Sequence, residues 1–259
     1  MKYPAVVNLS LPKTGSTTIY SYFERAGACH EGLHDKTVDL IIDYHQGSVA
    51  LDKLKKLIVR RQHYLQANLD SSTFLHLIAA EIVDIYPKNT LYITILRHPV
   101  QWVKSYLGML HQFGKEIQQG SAPFDRVWAS RYGNFQANGL DPVRLFESIA
   151  DREYLEEVSH NLLRFWIDSE LRIFESVPSR QLYCFRLEDL GLALEALTKF
   201  FDTHISLDQP TQKFNAATTD DVAKHFISES LERSMKAPLV AESLNLYENL
   251  CSHRLHGLP

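Results

Sequence analysis

The chain has 259 residues, of which 45% are hydrophobic and 22% charged, values ordinary for one globular domain. Its formal net charge of −4 excludes a general basic surface that would hold nucleic acid or a sulfated polymer, although it allows a local anion pocket. The three cysteines are an odd number, widely spaced and without a C-x-x-C pair, which is typical of a reducing compartment.

The chain shows no pattern of a targeting or membrane segment. Its first residues, MKYPAVVNLSLPKTG, contain one lysine and a short apolar run that Asn8 interrupts, unlike the apolar centre of a signal peptide. No stretch approaches the roughly 18 consecutive apolar residues of a membrane-spanning helix. We therefore expect a soluble, cytoplasmic protein with no membrane or nucleic-acid partner, and we leave its oligomeric state open.

Strands and helices alternate in the first part of the chain. The hydrophobic patterns predict a buried strand at 5–9, a helix at 19–25 closed by Gly27, a strand ending at 28–30, an irregular segment at 31–47, and helices at 49–59 and from 72 or 73 to 85. The run Leu91–Leu96 is continuous, apolar and β-branched, as a central parallel strand requires.

The second part continues this alternation. A helix is predicted at 100–110, a long loop or substrate lid at 111–142, where Gly, Ser, Gln and aromatic residues are frequent, a helix at 155–177, a strand at 181–185, a helix at 190–201 and C-terminal helices within 216–259. The whole pattern predicts an α/β fold, in which one domain over residues 1–259 contains a central parallel sheet flanked by helices.

A glycine-containing loop, Lys13-Thr14-Gly15-Ser16-Thr17-Thr18, joins the first strand to the first helix. Ligands of parallel sheets bind beyond the carboxyl ends of the strands, where this loop lies. Gly15 permits close approach of the backbone, and the N–H groups of the helix N-terminus favour an anion. The hydroxyl groups of Ser16, Thr17 and Thr18 and the Lys13 ammonium add donors. We interpret the loop as a P-loop-like phosphate cradle, with a structural turn as the alternative.

The loop differs from that of nucleoside triphosphatases. Their pattern, G-x-x-x-x-G-K-[ST], places lysine after the glycines, whereas Lys13 precedes Gly15. A second candidate site follows the strongest strand, where Arg97 offers a planar fork for a phosphate and Ser105 adds a hydroxyl from the next helix. An Arg at a strand end can also form a structural ion pair. Together, the two sites indicate a ligand with phosphate at two ends.

These motifs resemble those of sulfotransferases that use 3′-phosphoadenosine 5′-phosphosulfate (PAPS). The stretch Pro12–Thr18 is similar to their 5′-phosphosulfate loop, and Arg97-His98-Pro99 with Ser105 is similar to their 3′-phosphate motif. Asp70–Phe74 through Leu96 and the run Tyr183–Leu190 resemble the segments around those motifs. The resemblance covers roughly residues 4–215, and its departures point toward small bacterial sulfotransferases of the kind that tailor natural products.

The resemblance implies residue roles and also shows two departures. Lys13 would contact the sulfuryl group and the leaving oxygen, Gly15, Ser16 and Thr17 would bind the 5′-phosphate, and Arg97 and Ser105 would bind the 3′-phosphate. Thr18 stands where many cytosolic members have a tryptophan that stacks on adenine. The C-terminal K-G-x-x-G motif is also missing, and the stretch Gln212-Lys213-Phe214-Asn215 is a candidate to replace it in part.

The stretch His30-Glu31-Gly32-Leu33-His34 matches the H-E-x-x-H pattern of zinc hydrolases. That pattern lies within a helix, whereas here Gly27 and Gly32 flank a segment that follows a short strand. Because the end of the second strand is expected beside the Lys13 loop, we favour a role in removing the acceptor proton. Glu31 is the first candidate for the base and His30 the second, His34 holds either in place or contacts substrate, and His63 is an outside candidate.

The sequence therefore predicts a sulfotransferase that moves a sulfuryl group from PAPS to a hydroxyl, less readily an amine, of a small molecule. The product would be adenosine 3′,5′-bisphosphate (PAP), and no metal is required. Phe113, Trp128 and Tyr132 are candidates for contacts with the acceptor, whose identity stays open. The rivals are a zinc hydrolase using His30 and His34, and a non-catalytic protein that binds PAP.

Overall fold

The computed structural model of the chain describes residues 3–201, 221–234 and 238–252. Within these residues one sheet has the strand order β2-β3-β1-β4-β5 with every pair parallel. The strands are β1 (Val6–Asn8), β2 (Ala28–His30), β3 (Leu69–Ser71), β4 (Leu91–Leu96) and β5 (Leu182–Arg186). The predicted α/β fold with a central parallel sheet is confirmed.

Helices connect and flank these strands. They are α1 (Ser16–Phe23), α2 (His34–His45), α3 (Leu51–Leu65), α4 (Ala79–Ile85), α5 (Pro99–Gln118), α6 (Arg126–Gln136), α7 (Pro142–Glu147), α8 (Arg152–Ser176), α9 (Leu190–Phe201), α10 (Asp221–Ser234) and α11 (Pro238–Ser252). In the part of the chain that the structure describes, no helix is long and apolar enough to cross a membrane.

The sheet has an apolar core because β4 and its neighbours supply alternating branched and aromatic side chains. Ile93 and Ile95 of β4 are buried together with Val6, Leu69 and Phe185 of the other strands. Helix α1 adds Ile19 and Phe23, and α9 adds Ala193, Leu194 and Leu197. These two helices are therefore held firmly against the sheet, and the loops that precede them lie at its carboxyl edge.

The described residues fall into two compact units. The first contains the sheet and comprises the residues up to Leu96, those from Ser169 to Phe201, and the end of α11. The second comprises residues 97–168, all of α10, and α11 up to Leu250. The single domain expected over residues 1–259 stays a prediction. The stretch Gln212–Asn215 lies outside the described residues.

Two elements near the site differ from the sequence prediction. Residues 31–47 were expected to be irregular, but 34–45 form α2, whose Val38, Ile41 and Ile42 are buried at helical spacing. Strand β3 was not predicted, because its central residue is Asp70, a charged side chain that is rare inside a sheet. Arg61 pairs with this carboxylate and allows its burial.

The prediction of a long loop over residues 111–142 is wrong, because much of this segment is helical. Helix α5 continues to Gln118, and α6 fills residues 126–136. Gly114 and Gly133, which suggested a loop, are packing positions. A Cβ atom at Gly114 would lie 1.9 Å from the carbonyl oxygen of Pro142, and one at Gly133 would lie 2.6 Å from that of Leu140. Whether this segment acts as a substrate lid stays a prediction.

We expect Gly114→Ala to destabilise the protein. Overpacking of a well-packed contact costs typically about 1–3 kcal/mol, and here the obstacle is backbone that cannot rotate away. Thermal and urea unfolding would measure the loss. Gly191→Ala is the matched control, because a Cβ atom there meets nothing within 4 Å. Equal stability of the two variants would contradict the close approach of the backbone at Gly114.

Candidate active site

The loop between β1 and α1 is tightly folded. Its apolar residues Leu9 and Leu11 are buried, and the Thr14 hydroxyl donates to the Leu11 carbonyl oxygen at 2.5 Å. Lys13 and Gly15 both have left-handed backbones, with φ of 66° and 96°. Only glycine adopts such a backbone without cost, so the loop holds Lys13 in a strained conformation. The Thr14 hydroxyl serves the loop itself.

A buried polar network fixes this loop to the sheet. Asn8 Nδ2 donates to Ser71 Oγ at 3.0 Å, and Ser71 Oγ donates to the Ser16 carbonyl oxygen at 3.2 Å. Asn8 Oδ1 accepts from Ser10 N at 3.0 Å, while Ile95 N donates to Ser10 Oγ at 2.7 Å. Sequence reasoning missed these residues, and the polar Asn8 inside an apolar strand was the available indication.

The start of α1 fits an anion. Gly15 is the N-cap and supplies no side chain, the first turn contains no acidic residue, and no side chain in the described residues caps the helix. A Cβ atom at Gly15 would lie 3.2 Å from Leu190 and 3.3 Å from Leu187, so the glycine also allows close packing. The helix dipole and its first N–H groups favour a phosphate at this end. Thr18 is half-buried on the same helix.

The HEGLH segment forms a strained turn between β2 and α2. His30 ends the strand, His34 begins the helix, and Glu31 and Leu33 have left-handed backbones with φ of 53° and 55°. Non-glycine residues in this region cost on the order of 1–3 kcal/mol each, so surrounding contacts must hold the turn. Strain of this kind is common at functional sites.

Arg61 and close packing provide those contacts. The Gly32 carbonyl oxygen accepts from Arg61 Nε at 3.2 Å and from Nη2 at 3.1 Å. A Cβ atom at Gly32 would lie 2.6 Å from Cys29 Sγ and 2.8 Å from Leu65. The turn is thus held by two hydrogen bonds from Arg61 to its backbone. It is also held by the packing of Cys29 and Leu65 against Gly32, which leaves no room for a side chain at that position.

Glu31 lies at the centre of a hydrogen-bonded group. Its Oε1 accepts from Thr73 N at 3.2 Å and from Thr73 Oγ1 at 2.6 Å, and its Oε2 lies 2.7 Å from His34 Nδ1. Burial alone would raise the pKa of Glu31, but the hydrogen bonds from His34 and Thr73 outweigh it and lower the pKa below its ordinary value. Glu31 is therefore ionised at neutral pH.

His30 contacts α1, the helix that contains the end of the Lys13–Thr18 loop. Its Nδ1 lies 2.8 Å from the Ser71 carbonyl oxygen, which can only accept, so Nδ1 carries the proton. In the neutral ring Nε2 then accepts from Thr17 Oγ1 at 3.2 Å. The ring also stacks on Tyr20, with centroids 5.7 Å apart.

The end of β2 was expected beside the Lys13 loop, and the order of the strands shows how the two are connected. Strand β3 lies between β1 and β2, so β2 is not adjacent to the strand that carries the loop. The contact predicted between HEGLH and the loop is made instead through α1, by Thr17 and His30. His63, the outside candidate, is exposed on the last turn of α3.

The geometry of HEGLH differs from that of a helical zinc motif. In that motif both histidines project from one face of a helix. Here His30 belongs to a strand and His34 to the first turn of α2, with two left-handed residues between them. Among the described residues, no group of three or more His, Cys, Asp or Glu side chains is placed to hold a metal ion.

Arg97 and Ser105 lie in the second unit. Arg97 directly follows β4, and Ser105 occupies the second turn of α5; both are half-buried. The turn between them is ordered by His98, whose carbonyl oxygen accepts from Trp102 N at 2.8 Å. Binding of a 3′-phosphate by Arg97 and Ser105 stays a prediction.

The three candidate acceptor residues belong to one aromatic cluster. Trp128 stacks on Tyr132 with centroids 5.1 Å apart, and Phe124 joins Trp128 to Phe113 at 5.1 and 5.2 Å. Tyr132 is buried, and its hydroxyl lies 2.8 Å from that of Tyr106, so it supports the contact between α5 and α6. Phe113 and Trp128 are half-buried and remain candidates for acceptor contacts.

Comparison with known proteins gives one family. A family described as the sulfotransferase domain matches residues 5–219, a range that includes the Lys13–Thr18 loop, the HEGLH turn, Arg97 and Ser105. No curated protein matches the chain.

Proposed function

The chain belongs to the sulfotransferase domain family, and from that premise we propose that it transfers a sulfuryl group from PAPS to a hydroxyl group of a small molecule. The observation that carries the proposal is the loop at the start of α1. Its left-handed Gly15, its helix N-terminus and the absence of acidic residues from the first turn fit the 5′-phosphate of such a donor.

The residue roles follow from this fit and from the family resemblance. Gly15, Ser16 and Thr17 bind the 5′-phosphate, and Lys13 faces the charge that develops during transfer. Arg97 and Ser105 bind the 3′-phosphate, which Arg can contact with two parallel N–H groups. When bound, PAPS supplies the sulfuryl group and a good leaving group. The protein supplies placement, positive charge and a base, the demands that phosphoryl transfer also makes.

The acceptor is proposed to be a small molecule with a hydroxyl or, less readily, an amine. The net charge of −4 argues against a sulfated polymer, which would need a broad basic surface. By resemblance to small bacterial relatives, we propose a tailoring step in secondary metabolism and a cytoplasmic location. These finer assignments rest on composition and on the resemblance.

The transfer assay tests this function directly. Protein incubated with ³⁵S-labelled PAPS and a panel of phenols, alcohols and amines should yield labelled product and PAP. A protein that binds PAP without transferring label or cleaving PAPS would be the non-catalytic rival. Activity that requires zinc and survives without PAPS would favour the hydrolase.

We expect Arg97→Ala to weaken PAP binding. A hydrogen bond to a charged group contributes about 1.5–3 kcal/mol, which corresponds to a Kd roughly 10- to 150-fold higher. Because a ligand that binds only the native state raises the Tm, thermal shifts with PAP and with adenosine 5′-phosphate would measure the effect. Equal affinity of the wild type for both ligands would refute the assignment of the 3′-phosphate to Arg97 and Ser105.

A further inference from the structure

His30 and Thr17 join the end of β2 to the start of α1, where the 5′-phosphate of the donor is proposed to bind. We propose that donor binding is coupled to the uptake of one proton by His30, which allows the Thr17 hydroxyl to donate to that phosphate. This coupling rests on the sulfotransferase function above and adds to it a pH dependence of donor binding. His30 acts on the donor through Thr17 and is therefore a positioning residue.

The hydrogen bonds of His30 determine where its proton lies. Nδ1 is 2.8 Å from the Ser71 carbonyl oxygen, which can only accept, so Nδ1 carries a proton in both charge states of the ring. Nε2 of the neutral ring is then an acceptor, and Thr17 Oγ1 lies 3.2 Å from it. A hydroxyl group has a single proton, so the Thr17 proton that is donated to His30 is not donated to a phosphate.

A second proton on His30 reverses this contact. Nε2–H then donates to Thr17 Oγ1, and the Thr17 proton becomes available to an anion at the start of α1. The imidazolium also adds positive charge near the first N–H groups of the helix, which already favour a phosphate. The proton comes from solvent and returns to it when the donor leaves. A ring that holds both protons cannot remove a proton from the acceptor, so in the donor complex His30 is not the general base.

The His30 ring is fixed relative to α1. Ser71 accepts from His30 through its carbonyl oxygen, and its hydroxyl donates to the Ser16 carbonyl oxygen at 3.2 Å. Asn8 Nδ2 donates to Ser71 Oγ at 3.0 Å, and both of these side chains are buried. Tyr20 stacks on the His30 ring with centroids 5.7 Å apart. A change in protonation therefore acts on the hydroxyl that the ring faces, without a movement of the ring.

Glu31 favours the second proton on His30. Burial raises the pKa of Glu31, but the hydrogen bonds from His34 and Thr73 outweigh this effect, and the lowered pKa leaves the carboxylate ionised at neutral pH. This carboxylate interacts electrostatically with His30 and stabilises an imidazolium there. Because His34 bonds to the same carboxylate, variants of His30 itself are needed to separate the two titrations.

Titratable groups also lie on the two elements that pack against His30. On α1, the hydrogen bond from Tyr20 to Glu24 raises the pKa of Tyr20, so its phenol is neutral near neutral pH. On β3, the Asp70 carboxylate is buried in an ion pair with Arg61. We therefore attribute a pH dependence of donor binding in this range to His30.

Calorimetry measures the proton uptake without any reaction. PAP, which carries the same 5′-phosphate, is titrated into the full chain in buffers of different ionisation enthalpy. At about pH 7.5, within the range in which histidine titrates, the wild type should take up more protons per PAP than His30→Gln or His30→Asn, by up to about one. The phosphates of PAP titrate alike in all three proteins and cancel in this difference. Equal uptake would overturn the coupling.

The affinity for PAP should follow the same proton. Binding with uptake of one proton weakens by up to about tenfold per unit of rising pH once the free ring is neutral. The Kd of the wild type divided by that of His30→Gln should therefore rise between about pH 6 and pH 8. His160→Gln is the control, because His160 is exposed on α8. A ratio that does not change with pH would refute the coupling.

Thr17→Val tests whether His30 acts through the hydroxyl. The Kd for PAP should rise roughly 10- to 150-fold, as for the loss of a hydrogen bond to a charged group. Valine offers His30 no hydroxyl to reorient, so adding His30→Gln should change the Kd of Thr17→Val less than it changes that of the wild type. Independent effects of the two substitutions would contradict a role of His30 through Thr17.

Nuclear magnetic resonance reads the two charge states directly. Long-range ¹H–¹⁵N spectra of wild-type protein labelled with ¹⁵N-histidine should show His30 with only Nδ1 protonated in the free protein and with both nitrogens protonated in the PAP complex. The peaks are assigned by their loss in His30→Asn. An unprotonated Nε2 in the complex would overturn the coupling even if PAP binds tightly. A wild-type protein that does not bind PAP at all would instead refute the sulfotransferase function.

Discussion

Lys13→Ala is expected to lower kcat by roughly 10²–10³-fold, the range seen when one group that stabilises a developing negative charge is removed. The KM for PAPS should change much less. Charge on the leaving oxygen grows as the bond to sulfur breaks, so an ammonium placed beside it binds the transition state more tightly than the ground state. Steady-state kinetics with ³⁵S-labelled PAPS would separate the two effects.

The backbone of Lys13 supports this role. Lys13 has a left-handed φ of 66°. It lies within the turn that is closed by the hydrogen bond from the Thr14 hydroxyl to the Leu11 carbonyl oxygen, and the left-handed Gly15 follows two residues later. A lysine on a flexible loop would need no such conformation, whose cost is on the order of 1–3 kcal/mol. Because the backbone of Lys13 is held in this conformation, the direction of its Cα–Cβ bond is fixed, as a side chain that must reach one position requires.

Two variants serve as controls for Lys13. Lys13→Arg retains the charge but presents a wider, planar group, so partial activity would indicate that placement matters in addition to charge. Lys36→Ala removes an exposed lysine from α2 and should leave kcat unchanged. Normal kcat with weakened PAPS binding in Lys13→Ala would reduce Lys13 to an anchor for the donor.

The sequence predicted the elements that are determined by the hydrophobic pattern of their own residues. Strand β4 and helix α9 were placed within a residue or less, because one is a continuous apolar run and the other a clear helical repeat. The position of the loop between β1 and α1 followed from the strand, glycine and helix in succession. Such local patterns need no knowledge of distant contacts.

The sequence failed where distant residues decide the structure. Strand β3 contains Asp70, which is buried only because Arg61 reaches it from α3. The HEGLH stretch is visible in the sequence, but the hydrogen bonds of Glu31 involve Thr73, which is 42 positions away in the chain. No periodicity or spacing shows that Glu31 bonds to both Thr73 and His34, so the sequence could not show which atoms of this turn are already hydrogen-bonded.

Arg61→Met is expected to cost about 3–5 kcal/mol of unfolding free energy, the penalty for leaving one partner of a buried ion pair uncompensated. Asp70 is fully buried in β3, and Arg61 Nη1 and Nη2 donate to its two carboxylate oxygens. Arg61 also donates to Ser72 Oγ at 2.6 Å and to Thr37 Oγ1 at 3.1 Å. Urea unfolding would measure the loss.

The partner charge supplies the decisive control. Asp70→Asn in the Arg61→Met background removes the uncompensated carboxylate, so the double variant should be more stable than Arg61→Met alone. Lys55→Met breaks an exposed ion pair with Asp84 and should change stability little. If Arg61→Met lowered the free energy of unfolding no more than Lys55→Met does, the buried Arg61–Asp70 pair would not contribute to the stability of the sheet.

Activity provides a second measurement of the same variants. Arg61 is also the donor to the Gly32 carbonyl oxygen, and therefore supports the strained turn that carries Glu31 and His34. The double variant should regain stability without regaining this contact, because methionine has no N–H group. We thus expect it to fold yet to transfer sulfuryl groups slowly at temperatures well below its Tm. Full activity in the stable double variant would show that the turn keeps its geometry without Arg61.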